Sequence, residues 1–92
     1  MSGEAMLIEA ARIIAKRRVA YGHPASSMAA IAARWSVTLG TPVTPATVAL
    51  CLIDLKLARL AHDPAHADSI TDIAGYAAVL REVVTQHQQE GI

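Results

Sequence analysis

Apolar residues recur at spacings of three and four along nearly all of this 92-residue chain, the signature of helices that bury one face. Four such stretches are separated by short breaks carrying Gly or Pro. The first runs from about Gly3 to Ala20, where Leu7, Ala10, Ala11 and Ile14, then Ile8, Ala15 and Val19, follow the helical repeat. Glu9, Arg12 and Lys16 form its polar face, with charges at pairing distance. Gly22 supplies a C-cap and Pro24 cannot continue the helix. The second runs from about Ser26 to Leu39, with Ser26 or Ser27 as the expected N-cap and Met28, Ile31, Trp35 and Leu39 in one stripe. Gly40 and Pro42 close it.

Thr44 followed by Pro45 is a clear helix start, and the third stretch continues to about His62. It is apolar nearly all round, which predicts a central buried helix or one covered by a second subunit. Residues His62 to Ala65 form the next connection. The fourth helix is expected from about Asp68 to Gln88, with Ile70, Ile73, Ala77, Leu80 and Val84 as a narrow bundle seam. Gly75 lies inside it at a cost of about 1 kcal/mol relative to Ala, so the position implies that another backbone or a ligand comes close. Gln86 to Ile92 reads as a polar, fraying tail. The pattern predicts an all-α fold: one domain over residues 1–92, a compact bundle of about four helices.

Composition adds an assembly expectation. Hydrophobic residues make up 53% of the chain and charged residues 17%, more apolar surface than a small monomer hides. The surplus predicts a homo-oligomer. Eight basic residues balance eight acidic ones, so general nucleic-acid binding is not expected. The one basic run, Lys16 to Arg18, fits either the solvated end of a helix or a phosphate contact. Cys51, the sole cysteine, is expected to be a buried small hydrophobe, which suits a reducing, cytoplasmic setting. The first residues lack the form of a signal peptide, and no apolar run approaches the ~20 residues of a membrane span.

The remaining polar positions carry the candidate chemistry. Lys56 and Arg59 project from neighbouring turns of one helix face. Asp54 points about 200° round the helix from Lys56 and is not their local partner. Asp68 and Asp72 share a face that Tyr76 extends. Folding the fourth helix back on the third is expected to bring Lys56 and Arg59 near Asp68 and Asp72. Two readings fit: a salt-bridge cluster that fixes register, or a polar pocket with cations for phosphate, carboxylates for hydroxyls or a divalent metal, and tyrosine for stacking. Trp35 lies on the apolar stripe and reads as core. Tyr21 follows three basic residues at a helix end, suited to stacking on a base or to closing the bundle. His62, Asp63, His66 and Asp68 match no standard metal-ligand spacing, and no Gly-rich phosphate loop or Ser-His-Asp set is present.

Several of these pieces occur together in a known arrangement. Arg18 to Pro24 (with Tyr21 and Gly22), Ile31 to Ser36, Thr44 to Val48, Lys56 to Leu60 and Asp68 to Tyr76 resemble a family of small, mostly uncharacterised phage and prophage proteins, over roughly residues 12–82. Where that family commonly carries Asp after Tyr-Gly, this chain has His23. The pattern is also similar to a phage domain associated with nucleotide modification. That resemblance implies a nucleotide-like small-molecule partner and the cytoplasm of a host cell. The expected site comprises Arg18, Tyr21, Lys56, Arg59, Asp68, Asp72 and Tyr76: the cations for phosphate, the tyrosines for base or ribose, the acids for ribose hydroxyls. The expected function is to bind a nucleotide or nucleotide-derived signal, sequestering it against host defence, with no catalytic residues and no cofactor. One alternative is a magnesium-dependent nucleoside triphosphate pyrophosphohydrolase similar to the MazG class, with Asp54, Asp68 and Asp72 as ligands, although the Glu-x-x-Glu pair of that class is missing. Another is a non-catalytic adaptor that binds a second protein.

Overall fold

Each predicted helix is present, and its ends follow from a few side chains. A computed structural model describes the backbone of residues 1–90 and the side chains of residues 1–85. The order is α1 (Gly3–Tyr21), α2 (Pro24–Leu39), α3 (Pro45–His62) and α4 (Ala67–Glu90). Ser2 caps α1, its hydroxyl accepting from the Ala5 amide at 3.1 Å. Gly22, at φ 83°, ends α1 and donates its N–H to the Arg18 carbonyl, a conformation that favours glycine.

The start of α2 departs from expectation. Pro24 occupies the first turn, and the His23 imidazole Nδ1 accepts from the Ala25 amide at 3.1 Å. Neither Ser26 nor Ser27 is the cap. Proline's fixed φ favours the first helical position, and an imidazole nitrogen serves as acceptor where Ser or Asp is usual. Only Gly22 and His23 therefore separate α1 from α2. At the other end Gly40 adopts the left-handed conformation. Ser36 fastens the following loop, its hydroxyl accepting from the Val43 amide at 2.9 Å and donating to the Ala32 carbonyl at 2.7 Å.

Thr44 and Pro45 begin α3 as read from the sequence, with Thr44 Oγ1 accepting from the Thr47 amide. Before α4, Asp63 accepts from the Ala65 amide. His66 Nδ1 accepts from the Ser69 amide and bonds the Ser69 hydroxyl at 2.7 Å. These bonds leave the buried Ser69 satisfied, as a buried hydroxyl requires. The backbone of α4 stays helical through Glu90, past the expected end at Gln88; the rest of the expected fraying tail, Gly91 and Ile92, lies outside the described residues.

The core is small and sits between α2, α3 and α4. Ala25, Met28, Ala32, Val48, Ala49 and Val83 are buried, with Ile31, Trp35, Leu52, Val79 and Leu80 packed against them. Trp35 belongs to the core margin, as its stripe predicts. The expected seam of α4 holds in part: Ile73, Leu80 and Val84 are partly covered, but Ile70 and Ala77 are exposed, while Ser69 and Val83, each one residue earlier than a seam position, are buried.

α3 buries only one side, through Val48 and Ala49. Leu50, Leu55 and Leu57 are about half exposed, so within one chain α3 is not enclosed. Cys51 lies on this open face and is exposed, not buried as expected. Of α1, only Ala10 is buried; the helix packs chiefly on α4 and barely touches α2. Among the described residues no helix is long and apolar enough to cross a membrane.

Candidate functional site

The sharp break at Gly22 and His23 turns α2 away from α1. α4 runs alongside α1. Between these three elements lies a cavity of about 240 Å³. Ile13 and Ile14 from α1, Met28 from α2 and Val79 from α4 give it an apolar wall, and Tyr21 and Tyr76 add aromatic surface. Its polar groups are Ser27, Thr71 and Asp72, and the last basic turns of α1 contribute Arg17 and Arg18. An apolar wall with a few convergent polar groups is the usual composition of a small-molecule site.

Gly75 also lines this cavity. A Cβ built there meets nothing within 4 Å, so no neighbouring backbone in the chain requires the glycine. Of the two explanations read from the sequence, close helix packing within the chain is ruled out by this spacing. What remains is open space beside the backbone of α4, at the cavity wall.

Two ion pairs frame the site. Lys56 Nζ lies 3.0 Å from Asp72 Oδ2, and the two side chains are only 12% and 25% exposed. The pair ties α3 to α4 and leaves the second Asp72 oxygen uncommitted by this bond. Arg18 pairs with Glu82, joining α1 to α4 across a more open surface. The other Glu82 oxygen, Oε2, is shielded from water and has no hydrogen-bond partner. Exposed pairs of the Arg18–Glu82 kind contribute at most about 1 kcal/mol. The Lys56–Asp72 pair matters more, because removing one partner strands a charge in poor contact with water.

The seven residues expected from the sequence are thus divided. Arg18, Tyr21, Asp72 and Tyr76 line the cavity. Lys56 stands behind Asp72 and reaches the site through it. Arg59 and Asp68 are exposed, lie outside the cavity wall, and form no ion pair among the described residues. The convergence of the α3 cations on the α4 acids is therefore one pair and not a cluster of four. Asp54 is exposed on α3, and among the described residues no three His, Cys, Asp or Glu side chains gather to hold a metal ion. The sequence reading passed over Arg17, Ser27, Thr71, Met28 and Val79 as site residues. Two signals in the sequence bore on them: the basic run Lys16 to Arg18, and the mid-helix Gly75.

Comparison with known proteins places the chain. The model of a family described as a domain of unknown function, DUF6378, matches residues 5–84, and the chain belongs to that family. The chain is 37% identical over 81 residues to the Gene 55 protein of Mycobacterium phage D29, covering 87% of this chain and 54% of the relative. It is 39% identical over 64 residues to the Gene 55 protein of Mycobacterium phage L5, covering 68% of this chain and 41% of the relative. The chain thus spans about half the length of these phage relatives. No solved structure matches it.

Proposed function

We propose that this member of the family binds a mononucleotide-type ligand without turning it over, with the base in the cavity and the phosphate at its arginine side. The observation that carries this reading is the make-up of the wall. Apolar and aromatic side chains from three helices meet Arg17 and Arg18 along one edge. A flat heteroaromatic with an anionic tail satisfies both parts at once: rings stack on tyrosine, and a guanidinium grips phosphate oxygens in bidentate fashion. Gly75 supports the same reading, since its missing side chain leaves room beside the α4 backbone.

In this scheme Arg17 is the chief phosphate ligand, because Arg18 is already engaged by Glu82. Tyr21 and Tyr76 hold the base. Ser27, Thr71 and the uncommitted oxygen of Asp72 bond the sugar hydroxyls. Lys56 acts through Asp72: it fixes the carboxylate and offsets a charge that would otherwise repel the phosphate. Arg59 and Asp68 receive no direct contact. The use we propose for such a protein, in a family with phage members, is to hold a nucleotide-derived signal of host defence out of solution. A second reading, an adaptor that binds another protein, draws on the exposed apolar face of α3 around Leu50 and Leu57.

The test is mass spectrometry of small molecules released by denaturing the natively purified protein, with a magnesium-dependent turnover assay over nucleoside triphosphates run alongside. Intact nucleotide released in near-stoichiometric amount, with no pyrophosphate formed in the assay, is the expected result. Pyrophosphate release that disappears in Asp72→Asn would replace the binder with a hydrolase. An empty protein that gains no stability from any nucleotide would leave the adaptor reading in its place.

A further inference from the structure

α1 has two faces, and the chain uses one. Ala10 is buried, and Ile13 and Ile14 turn toward the cavity. Leu7, Ile8, Ala11, Ala15 and Val19 form a second stripe at spacings of three and four, and it is open to solvent. Val19 is 91% exposed, Leu7 58% and Ile8 54%. Between Ala11, Ala15 and Val19 the surface is concave, a shallow groove whose edge is formed by Ile14 and Arg18. An amphipathic helix that leaves one complete apolar stripe uncovered is missing a partner.

We propose that this stripe pairs with the same stripe of a second copy of the chain, antiparallel, about a two-fold axis beside Ile13. Three features of α1 fit that occupant. First, four of the five stripe residues are symmetric about its middle: Leu7 and Val19 lie equally far from Ile13 along the chain, as do Ala11 and Ala15, while Ile8 has Arg18 at its mirror position. A two-fold axis at that point sets Leu7 of one protomer against Val19 of its partner, and Ala11 against Ala15. Second, the sizes suit two crossing helices. Small residues stand where the axes come closest, and large ones stand at the ends where the axes diverge and the gap widens. Third, the charges are segregated. The acids Glu4 and Glu9 lie before Ile13 and the bases Lys16, Arg17 and Arg18 after it, with Arg12 beside the axis. This order suits the helix's own dipole. It also makes antiparallel pairing bring unlike charges together, whereas parallel pairing would oppose like charges.

The other exposed apolar face, on α3, suits a second copy less well. Asp54 lies in its middle, among Leu50, Leu55 and Leu57, and antiparallel self-pairing centred there would set identical carboxylates against each other. The α1 pairing meets the cavity only at Ile14 and Arg18, which line both; Ile13, Met28, Tyr76 and Val79 lie on the far side of the helix from the stripe or on other helices. It stands or falls independently of the nucleotide reading.

Single-cysteine cross-linking tests both the pairing and its direction. The exposed Cys51 is first replaced (Cys51→Ser), and Leu7→Cys and Val19→Cys are then made separately in that background. Both positions are exposed, so helicity by circular dichroism should match that of the parent. On mild oxidation an equimolar mixture should give predominantly the Leu7→Cys/Val19→Cys mixed dimer, and each variant alone should give little. Light scattering of the unmodified protein should return twice the 9.7 kDa chain mass. A strong cross-link in Leu7→Cys alone would overturn the antiparallel arrangement. A monomeric mass at every concentration tested, with no mixed dimer, would overturn the pairing altogether.

Discussion

Replacing Gly75 with alanine separates what the fold wants from what the site wants. The position is interior to α4, which runs from Ala67 to Glu90, and glycine in a helix interior costs about 0.8–1.0 kcal/mol relative to alanine. The added Cβ would meet nothing within 4 Å, so no clash offsets the gain. Gly75→Ala should therefore stabilise the empty protein by about 1 kcal/mol, raising Tm by roughly 4–8 °C for a domain of this size. The same methyl enters the space beside a wall of the 240 Å³ cavity, where it occupies about the 30 Å³ share of one water molecule. A ligand lying against the α4 backbone has to shift, and a loss of one hydrogen bond or stacking contact corresponds to roughly a tenfold weaker Kd. Gly75→Leu fills more of the space and should abolish binding. The assay pairs thermal unfolding of the empty variants with the nucleotide load recovered from natively purified protein. If both variants keep the full ligand load of the parent, the cavity is not the binding site. If Gly75→Ala lowers Tm, the open space beside α4 is not there.

Further substitutions separate the roles of neighbouring residues. Arg17→Ala should leave Tm within about 0.5 kcal/mol equivalent, as for other exposed positions, while weakening a phosphorylated ligand at least tenfold in a calorimetric titration; equal affinity in the variant would take the phosphate away from this edge. Asp72→Asn strands the Lys56 ammonium and should cost about 1–3 kcal/mol in chemical denaturation, whereas the double change Lys56→Met with Asp72→Leu should recover much of that loss. A double variant no better than Asp72→Asn would show that the pair does more than neutralise itself. His23→Ala removes the cap of α2 and should destabilise by about 1 kcal/mol, with His23→Asp restoring the loss; thermal melts of the two variants that coincide would contradict the capping role of the imidazole.

Much of the fold was legible because each helix announces its own ends. Thr44 and Pro45 fix the start of α3, and Gly22 and Gly40 fix the ends of α1 and α2. The start of α2 was misread because serine is the commoner cap, and nothing local signals that an imidazole two residues before Ala25 accepts its N–H. The seam of α4 was legible at Ile73, Leu80 and Val84, but Ile70 and Ala77 continue the same spacing and face solvent; periodicity does not say where along a stripe the neighbouring helices stop covering it. The exposure of Cys51 escaped for a related reason. α3 is apolar on both sides, so its pattern does not say which side is inside.

The site was half legible. Spacing alone puts Asp72 and Tyr76 on one face and Lys56 on a helix that must return against it. Which cations reach a cavity depends instead on how α1 crosses α4, and that geometry favours Arg17 and Arg18 over Arg59. Gly75 stands at the cavity wall, with open space where its side chain would be.

The most direct measurement is a methyl-detected NMR titration of the protein with a mononucleotide, following the isoleucine, leucine, methionine and valine methyls. Binding in the cavity predicts that the resonances of Ile13, Ile14, Met28 and Val79 shift together and saturably, while Leu50 and Leu57 on the outer face of α3 stay in place. Saturable shifts confined to that outer face, or none at any ratio of nucleotide to protein, would contradict it.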